Sequence, residues 1–315
     1  MLDTITRKLF ALHKIKGVGP ATLTKLLEWP GFDEATIEDL MAANKTLARA
    51  LNAPGAWQKA LEDAEEDIDQ AERSGVTIVS CLDESYPRLL KETPDRPFFL
   101  YVRGRLPPVE ERNVAVIGTR APTPHGRLIA ERVTGFLVGD GWAIISGLAL
   151  GCDGIAHECA LRERGRTIAV LAHGHQTIAP RQHRNLAEQI LAEGGALVTE
   201  YGFGVEPLAH QFVKRDRIQA GLSRGVVLIQ SDLEGGSLHA CRAALEYNRV
   251  LAVACPTRAD VAAGEAKVQA NERLCERSDT ERRTLLKCKQ EALDRVLLVR
   301  GKADYDALSQ ALLGR

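Results

Sequence analysis

The sequence predicts an α/β protein: a doubly wound, mostly parallel sheet preceded by a small all-helical domain. Three observations carry that prediction. Apolar residues recur at helical spacing over residues 4 to about 72, then give way to short β-branched runs. Most of the later runs alternate with stretches of helical spacing, the pattern of strand–helix–strand units. The runs "NVAVIG", "WAIIS", "TIAVLAHG", "ALVTE", "VVLIQ" and "VLAVAC" are apolar at successive positions. Strands of that kind are buried on both faces, as in a parallel sheet covered by helices on each side. Such a sheet is Rossmann-like.

A chain of 315 residues has room for two domains. The periodicity sets them at 1–72 (helical) and 73–300 (the sheet), with 301–315 a tail or terminal helix. Hydrophobic content of 45% and charged content of 26% are those of an ordinary globular protein. The net charge of −1 excludes a bulk polycation, so any site for a polyanion must be a local concentration of positive charge. No apolar run approaches the ~20 residues of a membrane span, and "MLDTITRKLF" lacks the apolar core of a signal peptide. A cytoplasmic protein without membrane contact is expected. The seven cysteines (81, 152, 159, 241, 255, 275 and 288) are odd in number and form no C-x-x-C pair, so they read as reduced thiols serving as small core residues. Cys152 and Cys159 flank His157 without ligand spacing; neither a metal nor a cofactor is expected.

In "ITRKLFALHKI" the residues Ile5, Leu9, Leu12 and Ile15 fall on one helix face. "KGVGPATLTKLLEW" turns through Gly17 and Gly19 into a helix that Pro20 can begin. A glycine hairpin of this shape suits either a helix-hairpin-helix phosphate site or a tight corner between two packed helices. A single G-x-G is a weak signal, which favours the corner. The next segment, "APGAWQKALEDAEEDIDQAERSG", is an acidic helix unsuited to phosphates. "VTIVSCLD" and "FFLYVRG" read as a strand pair that extends the sheet. Leu128, Ile129, Val133, Phe136 and Leu137 mark the first covering helix.

Ligands of doubly wound sheets sit beyond the carboxyl ends of the strands. That rule selects Gly118, Thr119 and Arg120 after the first core strand, Ser146 and Gly147 after the second, and Gly235, Gly236 and Ser237 after "VVLIQ". Glycine there lets backbone amides approach an anion, the following helix adds partial positive charge, and Arg120 adds a forked full charge. Each loop alone could be an ordinary turn; three with an arginine predict a cationic, amide-lined cradle on one rim. Ser146 and Gly147 are expected to offer hydroxyl and amide donors to phosphate. Asp153 is expected to cap amides or orient Arg120, and His157, one turn later, to bond Asp153 as a structural pair. "FVKRDRIQAGLSRG" adds Lys214, Arg215, Arg217 and Arg224 in one helical segment, with Phe212 stacking on a base or anchoring the helix. Dinucleotide, P-loop, nucleophile-elbow and zinc-protease motifs do not occur, so no catalytic residue is expected.

These pieces together resemble the DNA-processing protein A family (DprA, also called Smf). The resemblance rests on "VAVIGTR", "SGLALGCDGIAHECAL", "GRTIAVLAHG", "FVKRDRIQAGLS" and "GGSLHACRAALEYNRVLAVACP", in that order. It implies an extended Rossmann domain behind a SAM-like helical domain. It also implies a non-catalytic homodimer that binds single-stranded DNA, protects it and loads RecA during natural transformation. The family's G-S/T-R falls on Gly118, Thr119 and Arg120, and its F-P-x-R-N-R on Phe212, Val213, Lys214, Arg215, Asp216 and Arg217. Its S-G-x-A-x-G-x-D-x-x-A-H falls on Ser146, Gly147, Ala149, Gly151, Asp153, Ala156 and His157. Asp216 stands where the family has asparagine, and would repel a phosphate unless a neighbouring arginine pairs with it. Ala179-Pro180 replaces Y-P, Ala240 lacks the family's threonine hydroxyl, and the sequence after residue 256 departs from the usual ending, on which the dimer and RecA contacts depend.

Two other functions compete. One is a sensor of a nucleotide-derived signal, or a nucleic-acid sensor in phage defence, built on the same superfamily rim. The other is a LOG-type phosphoribohydrolase, disfavoured because alignment on Gly235-Gly236 puts Arg242 where that enzyme's glutamate would stand.

Overall fold

The structure is a computed structural model and describes residues 2–106 and 112–314. Its chain contacts define two compact units.

The smaller unit holds residues 2–86 and 94–101. Its helices are α1 (Thr4–Lys14), α2 (Pro20–Leu27), α3 (Ile37–Ala43), α4 (Lys45–Ala50) and α5 (Ala56–Arg73). Strand β1 (Val76–Ser80) pairs with β2 (Phe99–Gly104). On α1 the inward face is Leu9, Phe10, Leu12 and Ile15, whereas Ile5 is exposed at the helix start. Pro20 occupies the first turn of α2 and Gly17 turns the corner at φ +91°, a left-handed conformation that glycine adopts without strain. Lys14 lies against the carboxylate of Asp67 and donates to the Tyr101 hydroxyl (3.0 Å), so the acidic helix α5 carries an internal ion pair with α1.

The larger unit holds residues 87–93, 102–106 and 112–314. Its parallel strands are β3 (Asn113–Ile117), β4 (Ala143–Ser146), β5 (Thr167–Val170), β6 (Ala196–Thr199), β7 (Gly225–Leu228), β8 (Val250–Ala254) and β9 (Val296–Val299). They run in the order β6-β5-β4-β3-β7-β8-β9. The order reverses between β4-β3 and β3-β7, as in a doubly wound sheet. Register is set by pairs such as Ala115 with Ile145 and Val226, which leaves β3 central.

The unit's helices are α6 (Arg88–Lys91), α7 (Pro124–Gly139), α8 (Cys152–Arg162), α9 (Arg184–Ala192), α10 (Ala209–Gly221), α11 (Ser237–Glu246), α12 (Arg258–Ala262), α13 (Gln269–Glu276), α14 (Asp279–Leu286) and α15 (Tyr305–Leu313). Every residue of strands β3 to β8 is buried, as their unbroken apolar runs require. On one side Val114, Val116, Ile144 and Val227 pack with Val133 and Leu137 of α7, Ala156 of α8 and Leu308 and Leu312 of α15. Trp142 joins the two ends of this layer, its indole N–H donating to Asp140 (3.0 Å) and lying 3.4 Å from Ser309. Residues 305–313 are therefore a packed helix. A second cluster, Leu148, Ala169, Leu171, Ile190 and Leu197, sits under α9. Arg224, read from sequence as part of the basic helix, lies beyond its end; its amide donates to the Asn113 carbonyl at the entry to β7.

Candidate nucleic-acid interface

Because β4, β3 and β7 are neighbours and parallel, the loops at their carboxyl ends open on the same edge. A cavity of about 640 Å³ lies there. Gly118, Thr119 and Arg120 line it after β3, Ala149 and Asp153 after β4, and residues 231–232 and 234–237 after β7. Helix α10 contributes Phe212, Val213, Arg215, Asp216 and Gln219, and Lys267 closes one side. The structure thus brings Gly118, Thr119, Arg120, Phe212, Arg215, Gly236 and Ser237 to one place. Ser146, Gly147, Lys214, Arg217 and His157 do not line it.

The open wall is the start of α11. Gly236 is its N-cap and no side chain caps it; the amides of Leu238 and His239 donate to the carbonyls of Gly235 (3.1 Å) and Gly236 (2.9 Å), which leaves the amides of Gly236 and Ser237 at the positive end of the helix. A Cβ on Gly236 would meet nothing within 4 Å. The Ser237 hydroxyl is turned inward, donating to Ser231 (3.0 Å), whose amide is held by Asn271 (2.9 Å). Arg120 is exposed, its guanidinium 5.2 Å from the centroid of the half-buried Phe212 ring. Among the described residues it makes no ion pair, although its charge acts on Asp216 across the cavity. Phe212 is therefore both half-buried and a lining residue of the cavity.

The loop after β4 behaves otherwise and corrects the sequence reading. The Ser146 hydroxyl is fully buried and donates to the Val116 carbonyl (2.7 Å), tying β4 to β3 rather than meeting a ligand. The Gly147 amide donates to Asp153 (3.1 Å), as does the Ala149 amide (3.4 Å). Arg215 is 3% exposed and donates to the carbonyls of Gly147 (2.6 Å) and Val170. Gly147 is required here because a Cβ would stand 2.0 Å from the Arg215 guanidinium. Arg215 is thus the inner wall of the site and is committed to the framework.

Asp153 does cap amides, those of the loop before its own helix. His157 does not bond it: its ring contacts Thr167 (2.7 Å), whose hydroxyl donates to the Ile144 carbonyl, so Nδ1 carries the proton. Burial, with His183 and Arg215 nearby, pushes His157 down to about 3, so it is neutral at physiological pH. Lys214 and Arg217 share a face as their spacing predicts, both directed to Glu200 (3.5 and 2.6 Å). Arg217 is held there half-buried, while Lys214 stays exposed at the end of its stem.

The expected cradle of positive charge is also corrected. Asp153, Asp216, Asp232 and Glu234 line the cavity alongside Arg120, Arg215 and Lys267. Three of the four acids have local partners. Asp232 pairs with Lys267 (2.7 Å), and burial raises Asp153 against the lowering influence of Arg215 and its two amides. Asp216 pairs with Arg215 (3.2 Å) and accepts from Gln219 (2.9 Å), yet burial outweighs that pairing and raises it to about 7. The pairing is the one its sequence position demanded. Lys267 and Gln219 are cavity residues that sequence reasoning missed. Lys267 lies in the divergent segment after residue 256, next to a stretch in which Val268, Ala270, Asn271 and Leu274 are buried.

The cysteines are all free, four of them buried, and Cys255 and Cys275 bring their sulfur atoms within 2.6 Å. Among the described residues no cluster of three metal-ligating side chains occurs, and no helix is long and apolar enough to cross a membrane.

Fold and rim together define an extended Rossmann-like protein with a glycine-bounded cavity at the carboxyl edge of its sheet. The chain belongs to the DNA recombination-mediator protein A family, whose model matches residues 77–280; the DprA/Smf resemblance read from the sequence is borne out. Protein Smf of Escherichia coli (strain K12) is 42% identical over 172 residues, covering 55% of this chain and 46% of that protein. A putative DNA processing protein DprA of Mycobacterium tuberculosis (strain H37Rv) is 33% identical over 278 residues, 84% of this chain and 70% of that protein. The chain spans 46% of the Escherichia coli Smf and 62% of the Synechocystis Smf. The X-ray structure of DNA processing protein A from Streptococcus pneumoniae matches with a TM-score of 0.73 at 27% identity over 98% of each chain. DNA processing protein A from Helicobacter pylori, described for its unique single-stranded DNA binding mode, matches with a TM-score of 0.58 at 26% identity, over 75% of this chain and 96% of that one.

Proposed function

We propose that this protein binds single-stranded DNA at the cavity on the β4-β3-β7 edge, protects the strand and delivers it to a RecA recombinase. A phosphate would lie between the Arg120 guanidinium and the uncapped amides of Gly236 and Ser237, with Lys214 attracting the backbone from the rim. Phe212, already beneath Arg120, would offer a face or edge to a base, a contact that every base can make and that carries no sequence preference. The observation that supports the reading is the presence, on one cavity, of an arginine that makes no ion pair and the uncapped start of a ten-residue helix.

A binding role fits the state of the reactive groups better than catalysis. Burial raises the Cys152 thiol to about 12 and keeps His157 uncharged, so neither is poised as a nucleophile or a base. The position of the phosphoribohydrolase glutamate is Arg242, whose guanidinium is spent on the Leu285 carbonyl (3.0 Å). Homodimer formation and RecA loading belong to the same proposal and rest on family membership.

Fluorescence anisotropy with labelled oligo-dT tests the reading. Binding should strengthen with strand length and fall with salt. Arg120→Ala should lose about tenfold in affinity, roughly 1.4 kcal/mol, without a change in melting temperature. Strands of several tens of nucleotides that fail to bind would remove the proposal. The cavity volume also suits a small nucleotide, so a mononucleotide that displaces the strand completely would favour the sensor reading.

A further inference from the structure

A second cavity, of about 660 Å³, lies at the carboxyl ends of β8 and β9 and is lined by none of the residues of the first. Its floor is apolar: Ile129, Val133 and Val299. Phe136 of α7 and Tyr305 of α15 form one wall, their ring centroids 4.8 Å apart and their planes tilted by 34°. Three cations from two elements surround the mouth, Arg132 from α7 and Arg300 and Lys302 from the loop after β9. All three are exposed, and among the described residues none makes an ion pair. The nearby carboxylate of Asp304 accepts from the amides of Arg300 (2.7 Å) and Gly301 (3.0 Å) and makes no ion pair with the three cations. Thr257 and Cys255 supply the remaining polar edge.

The two rings are half-buried and pack against the core beneath them, but nothing in the packing asks for the charge around them, since surface arginines and lysines normally spread among acids. Here unpaired positive charge and an aromatic wall converge on a concavity of small-molecule size. We propose that this cavity binds a nucleotide, its ring against Phe136 and Tyr305 and its phosphate between Arg300, Lys302 and Arg132. The volume holds one such unit. An extended peptide would instead need a long groove with main-chain partners. The nucleotide is either free or the terminal unit of a strand, since both present the same ring and phosphate.

Titration calorimetry at low salt tests this with ATP, dTMP, inorganic phosphate, and short oligonucleotides with and without a 5′-phosphate. ATP and dTMP should bind saturably, and the double variant Arg300→Glu, Lys302→Glu should weaken both at least about tenfold. Its oligo-dT anisotropy should stay within about twofold of wild type, because the first cavity is untouched. Arg120→Ala should show the converse, so this proposal and the single-stranded DNA reading fail separately. Tyr305→Leu keeps the apolar bulk and should weaken the nucleotides several-fold while leaving inorganic phosphate unchanged. Preference for the 5′-phosphorylated oligonucleotide identifies a strand end as ligand, and equal binding of free nucleotide identifies a small molecule; both uphold the site. Three results overturn it: no saturable nucleotide binding, binding abolished by Arg120→Ala but not by the charge reversal, or equal affinity for phosphate and nucleotide.

Discussion

The loop after β4 and the loop after β7 read alike in the sequence. Each follows an apolar strand, each is glycine-rich, and each opens a helix. In the structure they do opposite things. Gly147 sits against a buried arginine, its amide and that of Ala149 are taken by Asp153, and its carbonyl is taken by Arg215. Gly236 faces open space at a helix start that no side chain caps. A glycine turn becomes a ligand site only when the rest of the fold leaves its donors unmatched, and the presence of a nearby side-chain acceptor decides that.

The comparison can be broken most decisively at the closed loop. Gly147→Ala drives a methyl into the Arg215 guanidinium, and displacing a buried charge from its partners costs about 3–5 kcal/mol. Chemical denaturation should show that loss, and a near-neutral result would mean the loop is not locked as described. His157 gives the next largest effect. Its folded pKa of about 3 lies below the ordinary histidine value, so the unfolded chain binds the extra proton between those two pH values. Stability should fall as pH drops below about 6.5, by at most ~1.4 kcal/mol per pH unit for one site, and His157→Gln should flatten that part of the curve.

Asp216 is bonded to Arg215, which holds the closed loop, and lines the cavity that the open loop also lines. With its pKa at about 7, it loses its charge as pH falls, and a bound polyanion favours that protonation. Oligo-dT should therefore bind several-fold more tightly at pH 6 than at pH 8. Asp216→Asn should bind tightly at both; an unaltered pH dependence in that variant would place the titrating group elsewhere. The smallest effect belongs to the open loop. Gly236→Ala should leave stability within about 0.5 kcal/mol and weaken oligo-dT binding only modestly, in contrast with the same substitution at residue 147.

Much of the fold was legible because periodicity is a local signal. The β-branched runs from Val114 to Val253 are apolar at successive positions, which only strands covered on both faces satisfy, and the helix-period stretches between them leave a parallel sheet as the solution. The site was legible in outline for a related reason: the carboxyl-end rule converts strand order into place, so Arg120, Gly236 and Ser237 could be assigned to one rim. What escaped were properties of pairs. That Arg215 points inward while Lys214 points out follows from helix rotation and from carbonyls 68 and 45 residues away in sequence. Lys267 escaped because a short helical turn in a divergent segment carries no periodic mark.

The sequence by itself determined the fold class, the alternation that makes the sheet parallel, and the family, because each is encoded in runs of neighbouring residues. Only the tertiary structure decided which hydrogen-bond donors and charges remain available. Asp216 is a repelling anion on paper and a half-neutralised buried acid in the fold. Arg300, Lys302 and Arg132 are scattered cations on paper and one cluster in the fold. Desolvation and pairing depend on what the folded chain places within a few ångströms, and no local pattern records that.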